Sequence, residues 1–195
     1  MDNLNTLADP VVHLDFSWGL DHGTWSVLCR MFPTAEIPVV QLSLDFDQPP
    51  DFHFRLGRQL TFLRSDGVLV IGSGNMVHNL RAMARQDEGF DWAVAAGGKM
   101  KALIAAGDHH ALIDYPLRGD SARLAIPTRE HYLPLLYTLA MQEPSDRLSF
   151  FCEWVTLGSI SMRSYRGAPD AAAKRQASGV TRLSVECTDL FGPFI

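Results

Sequence analysis

The sequence lacks the features that most directly announce a function. It has only three cysteines, Cys29, Cys152 and Cys187, and no CxxC pair. That excludes a thiolate zinc knuckle or a thioredoxin-like redox pair. Buried thiols in a reducing, cytoplasmic setting are the expectation. No apolar run reaches the roughly 18–20 residues a bilayer span needs. The opening Met1-Asp2-Asn3-Leu4-Asn5 lacks the basic-then-apolar order of a signal peptide, so no membrane association is expected. Basic charge is in deficit: Lys+Arg number 17 against 22 Asp+Glu, a formal net charge of -5. A grip on a phosphate backbone needs a basic stripe, and none exists, so nucleic acid is not an expected partner. There is no internal repeat, no HExxH and no GxSxG. Gly72-Ser73-Gly74 lacks the third glycine of a dinucleotide fingerprint.

What is present suits one globular domain. The chain has 195 residues, 47% hydrophobic and 20% charged, enough for a substantial core. Apolar runs at 11–16, 37–44 and 68–71 read as strands. The last is uniformly apolar and suits a central strand covered on both faces. Helices are expected from Gly23 to Pro33, from Pro49 to Gly67, from Trp92 to Ala106 and from Pro127 onward, with Thr128 as a cap. Closing strands are expected at 150–155 and 159–162, around Gly158. The alternation predicts an α/β fold: a single domain, residues 1–166, with a mixed central sheet flanked by helices. Residues 167–195 read as an irregular tail.

Three histidines sit beside glycine turns or a proline: Asp21-His22-Gly23-Thr24-Trp25, Gly72-Ser73-Gly74-Asn75-Met76-Val77-His78-Asn79-Leu80 and Glu130-His131-Tyr132-Leu133-Pro134. Imidazole binds transition metals and moves protons near neutral pH. His22 suits a general acid/base at a helix start, or a loop histidine bonded to Asp21. His78, after a strand and a glycine turn, suits a site at the strand's carboxyl end, with Asn79 orienting its ring, or a structural cap. Neighbours on a helix diverge by about 100°. If His131 binds a metal, Glu130 is therefore expected behind it, not on the ion. His109 and His110 read as a solvated loop pair. His13 and His53 read as structural.

Together these motifs, with Ile37-Pro38-Val39-Val40-Gln41-Leu42-Ser43 and Gly158-Ser159-Ile160-Ser161-Met162, resemble the class III extradiol ring-cleavage dioxygenases of the LigB-like superfamily, in the 4,5-DOPA dioxygenase branch. The resemblance runs from about Trp18 to Tyr165. It implies an oxidoreductase of aromatic metabolism that opens a catechol ring with O2 at one Fe(II) or Zn(II) ion. It implies His78 and His131 as metal ligands and His22 as the acid/base residue. In more distant members the histidine matching His78 is the base, and a carboxylate completes the metal site.

The chain departs from that family in lacking the His-Gly-Ser-Pro and His-Trp motifs, each of which carries a metal-ligand histidine. The resemblance therefore implies a domain without its N-terminal strands, exposing an unpaired edge and an apolar face. It leaves open a ring-opening enzyme whose domain is completed elsewhere, a truncated, non-catalytic remnant with weak metal binding, and a metal-dependent hydrolase on the same ligands.

Overall fold

The computed structural model describes residues 12–169. It is a mixed α/β domain. The helices are α1 (His22–Met31), α2 (Pro50–Gln59), α3 (Asp91–Ala106), α4 (His109–Ile113), α5 (Gly119–Ala125) and α6 (Leu133–Ala140). The strands are β1 (Asp146–Phe151), β2 (Val155–Thr156), β3 (Ile160–Ser161) and β4 (Ser164–Pro169). Short 3-10 turns lie at Leu60–Arg64, Leu80–Ala82 and Tyr115–Leu117.

The core forms around α3 and α6. On α3 the buried positions Ala93, Ala96, Gly97, Met100 and Ile104 recur at helical spacing and make one apolar stripe. Gly107, in the left-handed region with φ 66°, stops the helix. Leu133, Leu136 and Leu139 of α6 are fully buried beside Met100, Ile104, Leu112 and Tyr132. Helix α2 starts on Pro50, whose missing N–H costs nothing at a first turn. It lies so close to α6 that a Cβ on Gly57 would come within 3.0 Å of the Tyr137 backbone.

The strands pair locally. β1 runs antiparallel to β4, from Asp146↔Pro169 to Phe151↔Ser164. β2 pairs with β3 through Val155↔Ser161 and Thr156↔Ile160. Strand β4 therefore continues to Pro169, past the expected boundary at 166; the rest of the expected tail lies outside the described residues.

The expected central sheet takes a different form. Residues 37–44 and 68–71 run without strand pairing, and so does the described part of 11–16. Ile37, Val39, Val40 and Leu42 are exposed, and so are Val68, Leu69 and Ile71. A strand exists only through a neighbour that takes its N–H and C=O groups. Among the described residues these runs have no such neighbour.

Two helix expectations also change. Helix α6 begins at Leu133, not Pro127, with Pro134 in its first turn, where proline is tolerated. Thr128 caps nothing; its hydroxyl donates to Glu130. His109 and His110 lie in α4, not in a loop, because the Asp108 carboxylate accepts the Ala111 N–H and starts a helical turn. Of the expected buried cysteines, Cys152 is buried and Cys29 is exposed; Cys187 lies outside the described residues. No helix among the described residues is long and apolar enough to cross a membrane.

Candidate metal centre

The segment 72–79 is sewn into the core from three sides. Asn75 donates its backbone N–H to the His131 carbonyl at 3.0 Å and its side-chain amide to the Ser161 carbonyl at 2.8 Å. The His78 N–H donates to the Ala125 carbonyl at 2.9 Å, and His78 makes an antiparallel bridge with Ile160. The two glycines that precede it serve close approach. A Cβ on Gly72 would lie 2.6 Å from the Pro134 carbonyl oxygen, and one on Gly74 would strike the His131 backbone. The glycine turn thus brings its backbone against the His131 turn, whereas its sequence suggested an approach to a ligand. Asn79 does not orient the imidazole. Its amide donates to the Leu124 carbonyl, and its side-chain oxygen accepts from the Arg81 and Ala82 N–H groups.

These contacts bring His78 and His131 face to face, with ring centroids 3.6 Å apart and planes 16° from parallel. Glu130 joins them. One donor atom from each of His78, Glu130 and His131 lies within 4.8 Å of the others. Because α6 starts only at Leu133, Glu130 and His131 lie in a turn. The 100° divergence of helical neighbours therefore does not separate them. Glu130 belongs to the cluster, contrary to the sequence reading; the signal for it was Pro134, which belongs to a helix's first turn and places Glu130 ahead of the helix.

The electrostatics suit ligand duty. Burial lowers the pKa of both histidines. For His78 the charge of His131 adds to that and Glu130 opposes it. For His131 Glu130 opposes burial while the charge of His22 reinforces it. Both imidazoles are thereby biased to the neutral form that carries a lone pair for a metal. Burial pushes the Glu130 carboxyl up. The Thr128 hydroxyl at 2.6 Å, its own backbone N–H and the two histidines outweigh that and hold it below the usual carboxylate range. His131 Nδ1 is buried without a hydrogen-bond partner among the described residues, and such an atom calls for an occupant. Two imidazoles and one carboxylate are the donor set of non-haem ferrous sites. The residues present fit a single transition-metal ion.

His22 is the first residue of α1 and is exposed. The Asp21 carboxylate caps that helix through the Thr24 N–H, and Gln41 ties to both Asp21 and Thr24. His22 lies within electrostatic reach of His131 but outside the three-residue cluster. The remaining histidines stay apart. His13 is exposed. His53 is fully buried, with Nδ1 2.9 Å from the Tyr137 hydroxyl. His109 sits 3.4 Å from Gln142, and His110 faces Asp114.

Known proteins share this arrangement of sequence. The family described as the catalytic LigB subunit of aromatic ring-opening dioxygenase matches residues 7–143. A 4,5-DOPA dioxygenase extradiol of Escherichia coli K12 is 40% identical over 153 residues, covering 76% of this chain and 56% of the relative. The 4,5-DOPA dioxygenase extradiol of Beta vulgaris is 35% identical, covering 80% and 58%. A crystal structure of an uncharacterized protein from Escherichia coli K12 superposes with a TM-score of 0.76 at 38% identity, covering 84% of this chain and 69% of that one. The chain spans just over half the length of these curated relatives. With the family match running through both histidines and Glu130, the chain belongs to the LigB family of catalytic subunits of aromatic ring-opening dioxygenases.

Proposed function

We propose that this chain carries the metal-binding half of an extradiol dioxygenase that opens a catecholic ring of the DOPA type with O2. The observation behind this reading is the convergence of His78, Glu130 and His131 within 4.8 Å. These three would hold one ferrous ion, with zinc as the competing occupant. A bound ferrous ion supplies a Lewis acid for the two catechol oxygens and a reductant for dioxygen. The chain's own residues do the rest. The backbone bonds at Asn75 and His78 hold the segments that carry the two imidazoles. His22, at the open start of α1, accepts a catechol proton at a ring nitrogen and later returns it. Its exposure allows it to exchange that proton with solvent.

A site that leaves positions for both substrate and O2 needs about three protein ligands and a closed surround. Seven large apolar side chains of residues 37–44 and 68–71 are instead exposed. The 195-residue chain by itself is therefore read as a weak metal binder without turnover, and ring opening as a property of the completed domain. Anaerobic loading with Fe(II), then catechol or DOPA and oxygen, tests both statements. A completed domain should form a yellow ring-opened product that a chelator abolishes, and this chain alone should form none. His78→Ala, Glu130→Ala and His131→Ala should each lower iron stoichiometry. Unchanged metal content in all three would remove the ligand assignment.

A further inference from the structure

A cleft of about 270 Å³ lies between α3, α5 and the Tyr115–Leu117 turn. None of its lining residues belongs to the His78, Glu130 and His131 cluster. Local sequence makes the space. Trp92, Ala96 and Lys99 recur at helical spacing on α3, so they face one way. Ala96 and Ala122 of α5 are both buried and both small, and they leave the gap that Trp92 and Tyr115 enclose. Lys99, Arg118 and Ser121 line the cleft as well, and all three are exposed.

The polar groups here are left unanswered. Two cations line the cleft and no carboxylate does. The Lys99 ammonium stands 5.7 Å from the centre of the Tyr115 ring, over its face. It makes no ion pair among the described residues. Arg118 meets Asp114 through one nitrogen at 3.7 Å, and that carboxylate also faces His110. A guanidinium has five N–H donors in a fork that matches a carboxylate. The clearest signal is Tyr115, which is only 3% exposed. Three of the four tyrosines place their hydroxyls on a partner: Tyr132 on the Leu112 carbonyl, Tyr137 on His53 and Tyr165 on Thr138. The Tyr115 hydroxyl has no such partner among the described residues. A buried tyrosine hydroxyl ordinarily has one.

We propose that this cleft is a binding site for a monocyclic aromatic carboxylate. The carboxylate answers Lys99, Arg118 and the Tyr115 hydroxyl, and the ring covers Trp92 and the two alanines. A bare inorganic anion would leave the indole and the alanines uncovered. A neutral ring would leave both cations without a partner. The volume suits one ring, since pockets for larger ligands begin near roughly 300 Å³. This inference concerns binding alone and stands whether or not the metal centre performs ring opening.

The test titrates benzoate into the full chain, freed of metal with a chelator, by isothermal calorimetry. A fluorine NMR arm uses 4-fluorobenzoate. The expected result is one site with a Kd on the order of 0.1–1 mM. Benzamide, which keeps the ring and loses the charge, and acetate, which keeps the charge and loses the ring, should each bind at least about tenfold more weakly. Lys99→Met and Arg118→Gln should each weaken benzoate by roughly tenfold. Tyr115→Phe should weaken it by about fivefold while leaving the urea midpoint in place, because that hydroxyl bonds nothing in the protein. Ser121→Trp, at an exposed position, should fill the cleft and abolish binding with unchanged circular dichroism. Arg123→Gln, a cation of α5 that pairs with Asp120 outside the cleft, should bind as the parent does. His131→Ala should also bind as the parent does. Any of four outcomes overturns the proposal: no binding up to about 10 mM; benzamide binding as well as benzoate; benzoate binding that survives Ser121→Trp; or loss of binding in a folded His131→Ala protein, which would place the ligand at the metal centre.

Discussion

Adding one methyl group at Gly74 should open the candidate centre without replacing a ligand side chain. Gly74 has an ordinary φ, outside the left-handed set, so alanine meets no backbone strain there. The cost is steric. The new Cβ would lie 3.1 Å from the His131 carbonyl carbon and 3.3 Å from its Cα, and closer still to its oxygen. All three are backbone atoms, so no side chain can rotate away. The same carbonyl accepts the Asn75 N–H at 3.0 Å. Relief requires the two segments to part by on the order of 1 Å, which takes that bond out of hydrogen-bonding range. Overpacking costs about 1–3 kcal/mol, and the lost hydrogen bond about 1 kcal/mol more. The sum, roughly 2–4 kcal/mol, is a large share of a typical domain stability of about 5–15 kcal/mol. Gly98 is the control. It lies within α3, is exposed, and has nothing within 4 Å of an added Cβ. Gly98→Ala should stabilise by about 0.5–1 kcal/mol through helix propensity. Urea unfolding followed by circular dichroism measures both, and zinc uptake measures the centre. A Gly74→Ala protein with the parent's midpoint and the parent's zinc content would refute the close-approach argument.

Other perturbations follow from buried polar contacts. Arg64 holds Asp146 through two hydrogen bonds of 2.7 Å. Burial pushes the Asp146 carboxyl up, but Arg64 and the Glu143 N–H outweigh that and hold it below the usual range. A depressed folded pKa contributes stability above the unfolded value, near 4, that is lost as pH falls through the folded value. Arg64→Met should cost about 3 kcal/mol near pH 7 and flatten that acid limb; an unchanged acid midpoint would contradict the pairing. Tyr132 donates its hydroxyl to the Leu112 carbonyl at 2.7 Å, fully buried. That carbonyl also accepts from Asp114, so Tyr132→Phe should cost only about 1 kcal/mol in urea unfolding. Burial lowers the pKa of His53, against weaker opposition from the Asp45 and Gln48 backbone groups and the Asp45 charge, with Arg129 reinforcing it. The unfolded chain then takes up the proton first, and stability falls as pH drops below about 6.5. His53→Gln should make that decline shallower; an identical slope would show that His53 titrates normally.

The helices were legible because their stops and stripes are local. Asp21 ahead of α1, through its carboxylate, and Pro50 at the start of α2 and Gly107 at the end of α3, through their backbones, mark boundaries locally. The strands were legible only as composition. Val68-Leu69-Val70-Ile71 reads as a buried strand, but pairing is a property of two segments, and the second cannot be read from the first. The candidate site divides in the same way. His78 and His131 were found because each stands beside a glycine turn or a proline. Glu130 was set aside because a helix was drawn from Pro127. A shift of helix start to Leu133 turns two diverging side chains into two converging ones. Asn79 was misassigned for a related reason: its short amide meets a local backbone need at Arg81 and Ala82 before it can reach the ring.

The unpaired segments and the candidate centre are joined through the backbone. His78 is positioned by a run of backbone that begins in an unpaired segment, and the Asp21 cap before His22 is tied by Gln41 to another. Whatever pairs those segments restricts the backbone that orients the imidazoles, and so removes part of the ordering cost of metal binding. Linkage makes the effect mutual: a metal that favours the ordered arrangement must strengthen that pairing by the same factor by which the pairing strengthens metal binding. The glycine turn at 72–74 is where the two meet, because the Gly74 backbone packs against the His131 carbonyl with no room for a methyl group. Such a contact transmits displacement because it cannot be compressed.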